Sequence, residues 1–152
     1  MPRRRSVSTT RVIAADHQYL FDLVADPSVH PVIDGSGTVT SVRGQVPERL
    51  SLGETFGMAM NQGTSYRITN TVVEFEEGRR IAWRHFNGHR WRYEFVPVEG
   101  GTEVTETFDW SGARAKLALE LARFPRRNLA GMEATLARLE ELATTGEVTD
   151  AA

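Results

Sequence analysis

Hydrophobic and polar positions change rhythm along this chain, and the changes mark its elements. Residues 7–13, rich in Val, Ser and Thr, predict a first strand. Asp16 then stands where a helix N-cap would, with Tyr19, Leu20, Leu23 and Val24 as the expected buried stripe of a short helix. That helix should stop before Asp26-Pro27, because the residue preceding a proline is pushed out of the α region. The stretch DPSVHPVIDGSG, 26–37, predicts a second short helix or turn followed by a loop. From Thr38 to Trp110 the period is two, interrupted by glycine-containing turns, and strands are expected over 38–43, 54–60, 65–75, 79–86, 89–97 and 102–110. From Ala113 the period becomes helical. Leu117, Leu121 and Phe124 share one face, and Pro125 interrupts the pattern. Leu129, Met132, Leu136, Leu139 and Ala143 then recur at three- and four-residue spacing, with Gly146 as the stop.

Short connections favour antiparallel neighbours. A long amphipathic helix needs a large apolar surface to cover, and the sheet is the one available. The expected fold is α+β: a curved seven-stranded antiparallel sheet wrapped on a long C-terminal helix, with two short helices after the first strand. One domain is expected over 1–152, ordered from about 6 to 143.

The segment RHFNGHRWRYEF, 84–95, decides which side chains face inward. Trp91, Tyr93 and Phe95 alternate with Arg90, Arg92 and Glu94, so the aromatics should face the core and the charges water. A two-residue Asn-Gly loop would set Trp83 against Arg92 and mix the faces. A three-residue loop of Phe86, Asn87 and a left-handed Gly88 instead sets Trp83 against Trp91 and Ile81 against Tyr93. It also sets His85 opposite His89. With Glu99-Gly100 at the next tip, Phe95 faces Val104, Tyr93 faces Glu106 and Trp91 faces Phe108. Glu106 then lies on the apolar face, where a carboxyl is costly unless hydrogen-bonded or protonated. Phe56, Met58 and Met60 form another inward set, as do Tyr66, Ile68, Asn70 and Val72. Val73 and Phe75 break phase, which predicts a bulge near 72–73.

Taken in that order, the chain resembles the START/birch-pollen-allergen-like (SRPBCC) superfamily, in its bacterial polyketide cyclase/dehydrase and lipid-transport branch. The resemblance covers about residues 6–143. It rests on the element order and on ADPSVHPVIDGSG, VVEFEEGRRIAWR, RYEFVPVEGGTEVTETFDW and RRNLAGMEATLARLEELA. It implies a helix-grip fold with a cavity between sheet and long helix for an apolar or amphipathic small molecule. It supplies no catalytic set, because a fold does not fix a function.

Composition narrows the field. Of 152 residues, 40% are apolar and 25% charged, the profile of a globular protein that needs no metal or disulfide to fold. The net charge of -2 argues against nucleic acid as a partner. The absence of cysteine removes thiol chemistry and fits a cytoplasmic setting. No apolar run approaches the roughly 18 residues of a membrane span, and no apolar segment follows the basic N-terminus as a secretory signal would require.

The expected ligand-binding residues are Met58, Met60, Tyr66, Asn70, Trp83, His85, Trp91, Tyr93, Glu106 and Phe108. Glu106 and Tyr93 are also candidates for acid/base work, since a carboxyl kept neutral in an apolar pocket suits proton transfer. His85 and His89 lack a third metal ligand, so neither metal nor other cofactor is expected, and a polar rim at the cavity mouth is the reading for them. His30 is expected at the surface or as a cap, with a place on the second short helix near the pocket mouth as the alternative. Arg90 and Arg92 should lie on the face opposite the aromatics, which excludes a stacking platform for single-stranded nucleic acid. Three functions remain: binding of a hydrophobic small molecule, a cyclase or dehydratase using Glu106, and a co-chaperone-like interaction module with a filled core. The segment 113–125 is a candidate lid or interface, which allows a monomer or a weak homodimer.

Overall fold

The computed structural model describes residues 5–43, 47–84 and 88–148. Strand β1 (Ser6–Ile13) leads into α1 (His17–Val24), capped by the Asp16 carboxylate, which accepts from the amides of Gln18 and Tyr19. A 3-10 turn at Pro27–Val29 runs directly into α2 (His30–Ile33). Six strands follow: β2 (Val39–Arg43), β3 (Thr55–Asn61), β4 (Ser65–Glu76), β5 (Arg80–Arg84), β6 (Arg90–Val98) and β7 (Gly101–Asp109). Two helices close the chain, α3 (Lys116–Leu121) and α4 (Phe124–Thr145).

The seven strands form one antiparallel sheet in the order β1-β7-β6-β5-β4-β3-β2. The first strand therefore pairs with the last, and the sheet curls around α4. Register follows the hydrophobic pattern. Trp83 pairs with Trp91 and Ile81 with Tyr93. Across the next turn Phe95 pairs with Val104, Tyr93 with Glu106 and Trp91 with Phe108. The slip in β4 lies between Val72 and Glu74, so the extra residue is Val73. Gly88 has φ 90°, the left-handed conformation that the three-residue loop requires. His85, Phe86 and Asn87, and with them the His85–His89 pairing, lie outside the described residues.

The opposite face carries the charges. Arg92 and Arg90 reach the Glu74 carboxylate at 2.8 and 2.9 Å, and Arg92 also reaches Asp109 at 3.3 Å. This network holds Glu74 below the usual carboxylate range, chiefly through its hydrogen bond from Arg92 against the cost of partial burial. The arginines and aromatics of β6 thus occupy opposite faces.

Three expectations need correction. Tyr19 is 45% exposed, and Phe21 takes the inward place on α1, packed edge-on against Phe75 and Phe95 at 5.6 Å. Two large rings across the core hold Phe21 more favourably than an eight-residue helix could hold Tyr19. His30 is buried, for reasons given below. The break between the last two helices falls at Arg123, which has φ 58°, one residue before α4 begins. Pro125 lies inside the first turn of α4, where its missing N–H has no partner to lose.

Candidate functional site

A cavity of about 320 Å³ lies between the concave face of the sheet and the helices α2, α3 and α4. That is the lower end of the range for small-molecule pockets, about 300–1,000 Å³. Strands β3, β4, β6 and β7 contribute alternate residues to it, as the pleat dictates, and β5 contributes one. Phe56, Met58 and Met60 come from β3, Tyr66, Ile68 and Asn70 from β4, and Trp83 from β5. Trp91 and Tyr93 come from β6, next to His89, and Glu106 and Phe108 from β7. The helical side supplies Ile33 and Asp34, then Leu119, and then Phe124, Asn128, Gly131, Met132 and Thr135. Nine of the ten residues named from the sequence line this one cavity, and His85 lies outside the described residues.

The deep wall is aromatic. Trp83 stacks on His30 at 4.7 Å and on Tyr93 at 5.6 Å, and Phe56 meets Trp83 edge-on at 5.6 Å. Trp91 packs on Phe108 at 4.8 Å, and the His89 ring meets Phe108 at 5.1 Å, so His89 is buried in this wall and not on the polar rim expected of it. Ser36, Gln62 and Tyr66 are exposed, which places the mouth at the far end of β3 and β4.

Few polar groups interrupt this wall. Glu106 is 3% exposed, and its Oε1 has no hydrogen-bond partner among the described residues. Burial pushes its pKa up to about 8, the Tyr93 hydroxyl opposes this by hydrogen bonding to the carboxyl, and the negative charge of Asp34 adds to the rise. Burial also drives the Tyr93 phenol well above its ordinary value, with the Glu106 charge acting in the same direction. At neutral pH this pair holds its protons. Asn70 is 3% exposed and its Oδ1 is likewise without a partner. Leaving such an atom unsatisfied costs about 1–3 kcal/mol, so each marks a place where something else can be received.

His30 is the polar residue that sequence reasoning misplaced. Its Nε2 sits 2.7 Å from the Val24 carbonyl. A carbonyl only accepts, so Nε2 carries the proton and the neutral ring keeps Nδ1 as an acceptor. Burial lowers the His30 pKa to about 4, against the smaller opposing pull of the Val24 carbonyl, Asp26 and Asp34. Its neighbours Val29 and Pro31 give no hint of this, because its partners come from α1 and β5.

Asp34 and Thr135 were also missed. Thr135 Oγ1 accepts from the Gly35 amide at 2.8 Å and donates to the Gly131 carbonyl at 2.9 Å. A Cβ on Gly35 would lie 2.4 Å from Cβ of Ala134, so glycine is what lets the 34–36 loop press on α4. The Asp34 carboxylate accepts from the amides of Ser36 and Val39 at 3.2 and 3.0 Å. The DGS triplet is the available signal, and on its own it predicts only a loop.

Segment 110–124 closes one end of the cavity. Leu119 and Phe124 line it, while Leu117 and Leu121 are 65% and 85% exposed. Glu120 fastens α3 to the sheet: its Oε1 accepts from Arg5 Nε at 3.0 Å and from Trp110 Nε1 at 2.9 Å. Among the described residues no group of three or more His, Asp or Glu side chains is placed to hold a metal ion. None of the described helices is long and apolar enough to cross a membrane.

The same architecture recurs in solved structures at low identity. Protein NE0264 from Nitrosomonas europaea superposes with a TM-score of 0.72 at 15% identity, covering 93% of this chain and 96% of its own. The AHSA1-like protein from Aeromonas hydrophila gives 0.68 at 20% identity, covering 93% and 94%. These likenesses concern the fold. A nearer relative in sequence is the uncharacterized protein Rv0088 of Mycobacterium tuberculosis, 43% identical over 143 residues. The match takes in 89% of this chain and 62% of that protein's length. The family model described as polyketide cyclase/dehydrase and lipid transport matches residues 4–144, and the chain belongs to that family.

Proposed function

We propose that this protein binds an apolar or amphipathic small molecule between sheet and C-terminal helix, with a polar end of the ligand at Glu106. The observation that carries this reading is the unpartnered Glu106 Oε1, buried in a cavity of about 320 Å³ whose wall is otherwise mostly aromatic and aliphatic. Trp83, Trp91, Phe108, Met58 and Met60 would supply the apolar contacts, and Met suits a pocket that accepts more than one shape. Tyr93, Asn70 and Tyr66 would orient polar groups. The same cavity weighs against an interaction module with a filled core.

Native mass spectrometry of the freshly purified protein, followed by denaturation and identification of what is released, tests the reading. A stoichiometric small-molecule adduct is expected. Glu106→Ala should then weaken that ligand at least tenfold, about 1.4 kcal/mol. Unchanged affinity in the alanine variant would remove Glu106 from the site.

A second reading is catalytic: a cyclase or dehydratase in which Glu106 delivers or removes a proton. The carboxyl held protonated to about pH 8 against Tyr93 favours it. Glu106→Gln separates the two functions. The amide keeps a donor and an acceptor but cannot exchange a proton at neutral pH, so turnover would fall at least a hundredfold while binding persists. A bound molecule that returns chemically unchanged from wild-type protein would reject the catalytic reading.

A further inference from the structure

We propose that the cavity selects by charge at its deep end: it receives an uncharged hydroxyl there and refuses a carboxylate or phosphate, which it tolerates only at the mouth. The inference deepens the small-molecule reading above and rests on it.

The argument begins with which charges face the cavity. Its lining contains the carboxyl groups of Asp34 and Glu106 and no lysine or arginine among the described residues. The arginines near it are directed elsewhere. Arg90 and Arg92 are spent on Glu74 across the sheet, and Arg138 donates to the Asp34 backbone carbonyl at 3.2 Å. His30 gives no positive charge at neutral pH, since burial lowers its pKa to about 4 against the smaller opposing pull of the Val24 carbonyl. An anion pushed to the deep end would lose its water under the negative field of Asp34 and find no lysine or arginine among the described lining residues, where His30 and His89 are the basic groups. Each of those terms opposes it.

The unpartnered atoms say what is welcome instead. Glu106 Oε1 and Asn70 Oδ1 are both buried and both face the cavity. A hydroxyl donates and accepts, so it satisfies the Glu106 carboxyl whichever oxygen carries the proton. It brings no net charge for burial to penalise. A carboxylate only accepts, and it would compete with Glu106 for the same proton.

The mouth has the opposite character. Arg127 lines a recess that shares Ser36, Thr38, Gln62, Phe124 and Asn128 with the cavity, and its guanidinium stands 5.5 Å from the Phe124 ring. An amphipathic molecule with one hydroxyl and one acidic end therefore has a single favourable orientation, hydroxyl inward and acid outward.

Three probes of equal chain length make the test: 1,10-decanediol, 10-hydroxydecanoate and decanedioate, titrated by calorimetry at pH 7.5, where an ordinary imidazole is neutral. The diol and the hydroxy acid should bind. The diacid should bind at least tenfold more weakly, because one of its carboxylates must point inward. Glu106→Gln, nearly the same shape, should narrow the gap between diacid and diol at least threefold, and diol binding shows that the variant is folded. Arg127→Gln should weaken the hydroxy acid at least threefold and leave the diol unchanged. Equal binding of diacid and diol by the wild-type protein overturns charge selection and leaves the small-molecule reading standing. Binding of none of the three, together with an adduct-free native mass, overturns the small-molecule reading itself.

Discussion

A carboxyl whose pKa rises from an ordinary 4.5 to about 8 on folding binds its proton more tightly in the folded state. Its contribution is fully present below pH 4.5 and is lost as pH rises through 8, so Glu106 should make the alkaline limb of the stability curve slope downward. The full loss is at most roughly 5 kcal/mol, and relaxation of the site reduces it. His30 acts with the opposite sign. Its folded pKa of about 4 lies below the ordinary 6.5, so its contribution is present above 6.5 and lost as pH falls through 4, by about 3 kcal/mol at most. Urea denaturation across pH 4–9 checks both. Glu106→Gln should flatten the alkaline limb, and His30→Phe, which keeps a ring against Trp83, should flatten the acid limb. Parallel curves for wild type and variants would mean that neither group is buried as described. Only one of these two residues was legible in the sequence. Glu106 stands out because strict alternation in 91–95 and 104–108 fixes its face without any knowledge of the third dimension. His30 is set by a carbonyl on α1 and an indole on β5, which no local pattern encodes.

The hairpins were legible among the elements because a wrong register would have buried arginine, and hydrophobic burial penalises that heavily. The bulge at Val73 was legible because Val73 and Phe75 break the alternation set by Tyr66, Ile68, Asn70 and Val72. The division between α3 and α4 was not, because a left-handed Arg123 leaves no mark in composition, whereas Pro125 draws attention to a position that is compatible with helix. The phase of α3 follows from that division. Leu119→Ala should cost about 2–3 kcal/mol, within the usual range for a buried leucine. The double change Leu117→Ser with Leu121→Ser should stay within about 0.5 kcal/mol, since both side chains are mainly exposed. A reversed ranking in thermal denaturation would put the other face of α3 inward. A sharper constraint sits where β7 begins. Gly101 has φ 148°, and a Cβ there would lie 2.0 Å from the Ile13 carbonyl oxygen. Gly101→Ala should therefore cost at least about 3 kcal/mol by straining the turn and prising β1 from β7. A Tm within 2 °C of wild type would show that the β1–β7 junction is laxer than drawn.

Whole-molecule behaviour depends on the cavity, because the sheet and α4 do not close fully on one another. Pairing of β1 with β7 brings the first strand to the last and curls the sheet enough to grip α4, yet Glu106 and Asn70 keep polar atoms unsatisfied inside. A molecule that fills the space and bonds those atoms binds only the folded state, and its binding free energy then adds to stability. At a free ligand concentration of 100 times Kd the gain is about 2.7 kcal/mol. For a chain of this size that should raise Tm by roughly 5–11 °C. Because the gain is set by concentration over Kd, Tm should keep climbing with the logarithm of ligand concentration after the site is saturated. A compound that acts merely as a surface additive would not depend on Glu106. The expected result is therefore a logarithmic climb in wild-type protein, displaced to at least tenfold higher concentration in Glu106→Ala. Identical curves for the two proteins would place the ligand outside this cavity, since no other described group lies at its deep end with a free carboxyl oxygen.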